Sequence, residues 1–547
     1  MSQDNNYRYK ALTVALFFVA GMLMGAFMMQ RRIGRLRPVI NYVQGGGGPV
    51  SKVGAVMRMI EANYVDTVDG EKLTTVSLDA ALHSLDPHSS YIPPKEFEKA
   101  EEEIQGNFQG IGVQFRVIDD TVTIIMPVSG GPSERVGVLP ADRIIMADDD
   151  TLSGKKMSTE AIMKKLKGPK GTKVRLALQR AGNAELIYVT VKRDVIPTYS
   201  VDVHFVVEDG IGYVKVSKFA VTTAREFEKA MKELAGAGVS KVIVDLRANG
   251  GGLLTSSLEM ADMFLEADMP IVYTEGRSRQ RMEIRATGKG RYRDMEMVVL
   301  LDEWSASASE IFAGAVQDND RALVVGRRSF GKGLVQEQMD LGDGSALRLT
   351  VARYYTPSGR CIQKPYQGSY EDYEADLARR YLSGEMTGTD SASHTDTTKY
   401  YTRKGRVVYG GGGIEPDVVI PYKTDSLFVY QNRLSNSGCF YDFSFRYVNQ
   451  NRNALKKAYP SAEAFTDNFE VEGKLFADFL AYTEKKGIAQ DSASIARYGN
   501  QMRLTLKALI GRDLYEDKGF YPSYLQRDDD FLRALEILRG ADMQNNI

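Results

Sequence analysis

Apolar residues recur at steps of three and four over Val53, Val56, Met57, Ile60 and Tyr64, and again over Leu78, Ala81, Leu82 and Leu85. That spacing predicts a small helical segment ending at LDPHSSYIPP, where Pro87, Pro93 and Pro94 enforce the break. From about Gly106 to Asp194 the texture changes to short β-branched runs, GIGVQFRVI, TVTIIMPV, RIIMA and KVRLALQR, with one helical piece at TEAIMKKLKG. These predict a compact, mostly β domain. From Tyr199 to Pro421 continuous apolar strands (GIGYVKVS, KVIVDLRA, MVVLLDE, ALVVG) alternate with amphipathic helices (AREFEKAMKELAGAG, LTSSLEMADMFLEA, ASEIFAGAVQD). The alternation predicts an α/β block. Within it the polar run SGEMTGTDSASHTDTTKYYTRKG lacks an apolar period and reads as a surface loop. Beyond about Lys423 the pattern is helical, with Phe465, Phe476, Phe479 and Tyr482 as core positions.

One run stands apart. Ala11 to Met29, ALTVALFFVAGMLMGAFMM, is uncharged and bracketed by Arg8 and Lys10 before it and Arg31, Arg32, Arg35 and Arg37 after it. As a helix it would rise about 28 Å, enough for the hydrocarbon core of a bilayer. No A-x-A-like site follows, so a retained anchor is favoured over a cleaved signal peptide. Counting basic residues near its ends favours the C-terminal side as cytoplasmic. GGGGP, Gly45 to Pro49, then reads as a flexible hinge.

At 547 residues the chain is too long for one core and divides into several domains. Its 70 basic and 71 acidic residues give a net charge of -1, which offers no electrostatic footprint for nucleic acid. The two cysteines, Cys361 and Cys439, lack the spacing of a zinc site or a disulfide framework, leaving open whether they pair. Histidine is scarce, with four in all (His83, His88, His204, His394), so chemistry needing an imidazole base or several imidazole ligands has few candidates.

Three segments of the α/β block carry candidate chemistry. VDLRANGGGLL runs from a buried strand into glycines that let backbone approach a ligand closely. DEWSASASEIFAGAVQD places serines at the start of a helix, near the positive end of its macrodipole. GRRSFGKGLVQ nearly matches a phosphate-binding loop, because Gly326, Gly331 and Lys332 have its spacing. Position 333, however, is Gly where a hydroxyl should bind magnesium. The following GLVQEQMDLGDGSALRLTVARYY reads as a hairpin with a DG turn where a helix is required. With histidine scarce, a serine nucleophile could instead use a lysine base. That needs burial to bring a lysine well below its usual ~10.4, and Phe330, Leu334 and Val335 flank Lys332.

SASASEIFAGAVQDNDRALVVG and SFGKGLVQ closely resemble the signature of the C-terminal processing peptidases, the tail-specific serine proteases of family S41. LDPHSSYIPPKEF, DLRANGGGLL, ARYYTPSGRCIQ and VVYGGGGIEPDVVIP are similar to further blocks of that family, in its order, from about Val50 to Tyr422. GNFQGIGVQF and PVSGGPSERVGVLPADRII resemble PDZ segments, although Gly137 follows Val136 where Ala-Gly is usual and Ala141 replaces a customary Gly. The resemblance implies a multidomain α/β protein with a crotonase/ClpP-like protease core at 195–423 and an inserted PDZ domain at 99–194; the residue pattern places a linker and helical segment at 45–98, a helical extension at 424–547, and an anchor with its flank at 1–44.

It further implies Ser307 as nucleophile, Lys332 as general base and Gln336 as its orienting partner. The oxyanion donors would be the N–H groups of Ala308 and Gly251. The PDZ loop Gly110, Ile111, Gly112 and Val113 would hold the C-terminal carboxylate of a peptide added as a strand. The family usually has Asn-Pro-Gly-Gly where this chain has Asn249-Gly250-Gly251-Gly252, and often Glu at Arg327. No metal or cofactor is implied. Expected partners are protein or peptide substrates with free C-termini, the membrane through the N-terminal helix, and a second copy or an adaptor through the terminal segments. The resemblance implies a bacterial inner membrane, single-pass, with the catalytic domains in the periplasm, and it outweighs the count of basic residues, a rule with known exceptions. The competing function is a catalytically silent, membrane-tethered PDZ adaptor.

Overall fold

The computed structural model describes residues 49–367, 370–389 and 397–540. It separates into two bodies, one up to Ser84 and one from Leu85 onward. In the first, helices Pro49–Asn63 and Gly70–His83 follow the predicted periodicity, and Asp69 caps the second by accepting from Lys72 N at 3.1 Å. The second helix ends at His83, directly before LDPHSSYIPP where the segment is expected to close, and that stretch, from Leu85 on, belongs to the larger body.

The expected anchor, Ala11–Met29, and most of the Gly45–Pro49 hinge lie outside the described residues. No helix among the described residues is long and apolar enough to cross a membrane. The location expected from that run, single-pass in an inner membrane and facing the periplasm, is accordingly corrected: the described fold contains no membrane span.

In the larger body the first unit is a five-stranded antiparallel sheet. Its order is Val113–Ile118, Thr121–Pro127, Arg143–Ala147, Lys173–Gln179, Ile187–Lys192, with Asp150–Thr151 added on Arg143–Ala147. Val122, Ile124, Ile144, Val174, Leu176, Leu178 and Val191 fill its core together with Ile162 and Leu166 of the helix Thr159–Leu166. Val113–Ile118 is an edge strand of this sheet. The flanking strands Asn107–Gly110 and Asp194–Pro197 pair with each other.

The second unit is an α/β layer structure. Six strands run in the order Val201–Glu208, Ile211–Val216, Lys241–Asp245, Glu296–Leu301, Leu323–Gly326, Val418–Val419; the first pair is antiparallel and the rest parallel. Both faces are buried, which is why these strands read as unbroken apolar runs. Val214, Val216, Val242, Val244, Val299, Leu301 and Val324 face a core shared with helices Thr223–Gly236, Leu254–Asp262 and Ala308–Asp318. Tyr213, Ile243, Val298, Leu300 and Val325 face the other way, onto Phe531, Ala534, Leu535, Ile537 and Leu538 of the last helix, Asp529–Leu538. The end of the extension is thus a layer of the α/β unit. The rest of the extension, helices between Phe428 and Tyr524, has its own core around Phe465, Phe476 and Phe479, as the sequence predicts.

A second sheet joins the predicted hairpin Leu334–Asp340 and Ala346–Tyr355 to Ser90–Ile92 and to the hairpin Pro270–Gly276 and Arg279–Arg285. The strand Arg279–Arg285 has no counterpart in the sequence reading: it is an exposed edge, RQRMEIR, so neither alternation nor an apolar run marks it.

Candidate active site

Lys241–Asp245, Glu296–Leu301 and Leu323–Gly326 are adjacent parallel strands, and the three candidate segments leave from their C-terminal ends. In an open α/β sheet that end is where ligands bind. Parallel pairing therefore collects segments far apart in sequence.

Ser307 is the residue at the strand-to-helix turn, at φ 55 and ψ -112, immediately before the helix Ala308–Asp318. For a residue with a β-carbon this backbone costs on the order of 1–3 kcal/mol and persists only where surroundings enforce it. Two restraints are visible. Ser307 N donates to Glu310 Oε2 at 2.8 Å, and Ile311 N donates to Ser307 O at 2.9 Å. Of the three serines in SASAS, Ser305 and Ser309 are fully buried and hydrogen-bonded into the fold, Ser305 Oγ to Leu246 O and Ser309 Oγ to Asn249 O. Ser307 alone is only partly buried. Ala308 N–H lies in the first turn, where helix N–H groups lack intrahelical partners and the macrodipole favours negative charge.

The glycine loop presses on this turn. A β-carbon on Gly251 (φ 98) would lie 2.7 Å from Ala306 O, 2.8 Å from Ser307 Cβ and 3.0 Å from Ala308 N. The N–H of Gly251, expected to face an oxyanion, donates here to Asn249 Oδ1 at 2.9 Å. The structure brings Gly251 to Ser307 and Ala308 but leaves that donor engaged within its own turn.

Lys332 is partly buried, and its Nζ donates to Gln336 Oε1 at 2.8 Å; no hydrogen bond runs from it to Ser307. Burial, then the charge of Arg348, brings Lys332 down from 10.5 to about 8. Gln336 Nε2 donates to His88 O at 2.6 Å, which fixes the amide so that its oxygen meets the ammonium. The His88 carbonyl is held by a turn in which Asp86 accepts from His88 N, Ser89 N and Ser89 Oγ. Ser89 Oγ in turn accepts from Thr350 N in the hairpin. Burial and the neighbouring Lys332 charge bring the His88 imidazole down to about 3, so it stays neutral.

Two groups missed in the sequence join nucleophile turn to lysine loop. Glu310, fully buried, accepts at Oε2 from both Ser307 N and Lys332 N, and at Oε1 from Ser329 Oγ and Gly331 N. Burial pushes this carboxyl up from 4.5 to about 7, against the pull of those four donors. Tyr354, also buried, donates to the backbone carbonyls of Ser307 and Lys332. Glu310 reads in sequence as an ordinary first-turn acid, so only a strong capping-box spacing to a serine could have drawn notice.

The same contacts exclude the phosphate-loop alternative. The N–H groups of Gly331 and Lys332, which a phosphate would need, are taken by a carboxylate. Gly331 and Gly413 are glycines because the lysine loop and the loop at 410–413 pack backbone to backbone: a β-carbon would meet Gly413 N at 3.1 Å and Ser329 O at 2.7 Å respectively. Among the described residues no group of three or more His, Cys, Asp or Glu could hold a metal ion.

In the smaller β unit, Gly110, Ile111, Gly112 and Val113 form the bend into the edge strand. Ile111 O accepts from Ser133 N and Oγ and Gly112 O from Val128 N, which turns the loop carbonyls inward. Gly112 has φ 69, and a β-carbon there would lie 2.9 Å from Ile196 Cδ1.

Comparison with known proteins matches residues 210–375 to peptidase family S41, 109–191 to the PDZ domain and 430–516 to a family of unknown function, DUF8443. The chain is 33% identical over 392 residues to the carboxy-terminal-processing protease of Bartonella bacilliformis, spanning 68% of this chain and 88% of that protein. It is 32% identical over 355 residues to the carboxy-terminal processing protease CtpA of Bacillus subtilis, spanning 63% and 75%. The photosystem II D1 C-terminal processing protease is a structural neighbour at 24% identity and TM-score 0.34, over 68% of this chain and 92% of that one.

Proposed function

The chain belongs to the carboxy-terminal processing serine proteases of peptidase family S41, and from that premise we infer that Ser307 and Lys332 act as a Ser/Lys dyad on protein tails captured by the PDZ domain. The observation that carries the reading is Lys332: a partly buried ammonium brought down to about 8, oriented by Gln336, on a loop whose backbone shares the Glu310 carboxylate with the nucleophile turn.

Neutral Lys332 takes the proton of Ser307 Oγ, and the alkoxide attacks the peptide carbonyl carbon. The tetrahedral oxyanion is stabilised by Ala308 N–H at the helix start and by a glycine-loop donor. For Gly251 to serve, its N–H must leave Asn249 Oδ1. The ammonium of Lys332 then returns the proton to the leaving amine, and water, deprotonated by the same lysine, releases the acyl group.

Capture of the tail rests on the PDZ loop Gly110 to Val113 and the edge strand that follows it. A peptide laid along Val113–Ile118 would pair with an open edge while loop N–H groups meet its terminal carboxylate. Substrates would then be unfolded or tailed proteins with free C-termini.

The test is hydrolysis of an unfolded model protein with an apolar C-terminus by the full chain, beside Ser307→Ala and Lys332→Ala. Activity abolished by both and unaffected by chelator is expected; turnover surviving either substitution overturns the dyad.

A further inference from the structure

The last helix, Asp529–Leu538, already docks on the main sheet through Phe531, Ala534, Leu535, Ile537 and Leu538. At its start, however, two carboxylates enter a cluster of nearly buried charges. Asp528 accepts from Arg247 Nη1 at 2.8 and 2.9 Å while also capping the helix through Phe531 N at 2.9 Å. Asp530 accepts from Arg247 Nη1 at 3.0 Å and from Arg327 Nη1 at 3.3 Å. Side-chain exposures are 14% for Arg247, 11% for Arg327, 12% for Asp528 and 6% for Asp530, so these are not solvated surface pairs.

The two arginines stand on different catalytic loops. Arg247 lies four residues before Gly251, and its other face is held by Asp245 through Nε and Nη2. Arg327 lies five residues before Lys332 and is held from the other side by Glu303 Oε2 at 2.9 Å and stacked on Tyr422 at 4.2 Å. Glu303 sits in the loop leading to Ser307. Asp530 is thus a single carboxylate shared by the glycine loop and the lysine loop.

Ion pairs this buried are poor sources of stability, because desolvation offsets most of the attraction. Their geometry is directional, and the apolar face of the helix supplies docking without them. We propose that Asp530, with Asp528, is a positioning residue: the C-terminal helix sets the separation of the oxyanion loop and the lysine loop through Arg247 and Arg327. The helical extension is then a working part of the active site, over and above any contact it makes elsewhere. This rests on the assignment of Ser307 and Lys332 above.

The test compares full-length parent, Asp530→Asn, Arg327→Met and the double variant, reading kcat and KM separately and the rate at which a fluorophosphonate labels Ser307. A misplacement of about 1 Å costs on the order of 100-fold. Each single variant is expected to lose at least about tenfold in kcat and in labelling rate, with KM within about twofold, and the double variant should be no worse than the weaker single. Asp530→Glu, which keeps the charge, should recover part of the loss. Asp530→Asn at the parent's kcat, or losses that multiply in the double variant, would overturn the proposal. If Asp530→Asn does not fold, Arg327→Met probes the same contact from the core side and decides alone. Ser307→Ala and Lys332→Ala run in the same assay: activity surviving them sinks the dyad, whereas activity lost in them but kept in Asp530→Asn sinks only this inference.

Discussion

Lys332 Nζ donates across 2.8 Å to Gln336 Oε1, and the remaining amide nitrogen of Gln336 is committed to the carbonyl of His88. The glutamine therefore cannot flip without breaking a second bond, and the lysine is aimed by a residue that is itself aimed. Gln336→Leu keeps the volume but releases the ammonium. It should lower kcat by about 10- to 100-fold with KM little changed, as misorientation of a catalytic group does.

The pH profile follows from the sign of the lysine shift. Only neutral Lys332 accepts the serine proton, so kcat/KM should rise with pH through about 8 and then level. Stability moves in the same direction. Between about 8 and 10.5 the unfolded chain holds a proton that the folded chain has released, so this group's contribution to folding grows as pH rises through that window. Lys332→Met should remove both dependences. A labelling rate for Ser307 that is flat from pH 6 to 10, roughly two units either side of the folded value near 8, would contradict the first.

Glu310 accepts four hydrogen bonds from two segments, the nucleophile turn and the lysine loop, while fully buried. Glu310→Gln replaces an acceptor by a donor facing donors. About 2–3 kcal/mol of stability should be lost in urea denaturation, the cost of unsatisfied buried polar groups. Activity should fall by more than the folded fraction, since the same carboxylate joins Ser307 to Lys332.

Gly251→Ala would place a methyl 2.8 Å from Ser307 Cβ, at a φ of 98 that disfavours any side chain. Strain of about 1–3 kcal/mol is expected, with fluorophosphonate labelling of Ser307 slowed by about 100-fold. Gly250→Ala is the control, because a β-carbon at Gly250 meets nothing within 4 Å.

Capture and chemistry should separate at the PDZ loop. Gly112→Ala strains a residue at φ 69 and presses on Ile196. It should raise KM about tenfold for a substrate with a free apolar tail, the effect of losing about 1.4 kcal/mol of binding. Labelling of Ser307 by a small fluorophosphonate should be unchanged.

Much of this protein is determined along the chain. The buried strands Ile211–Val216, Lys241–Asp245 and Glu296–Leu301 appear as unbroken apolar runs because both faces of a parallel sheet are covered. The hairpin after Lys332 is visible because alternation and turn chemistry are local, and local chemistry excludes a phosphate loop there. The serine and lysine segments stand out by composition for the same reason. What the sequence does not carry is convergence. The exposed strand Arg279–Arg285 has no period to read, since neither face is buried. Glu310 looks like any helix-start acid until Ser329, Gly331 and Lys332 fold onto it from about twenty residues away. His88 offers a backbone carbonyl, a group every residue has, to Gln336 248 positions on. Asp528 meets Arg247 across 281 positions. Hydrogen bonds and buried ion pairs act over about 3 Å, so these partnerships exist only once the parallel strands have brought their C-terminal ends together and the last helix has closed the far face of the sheet.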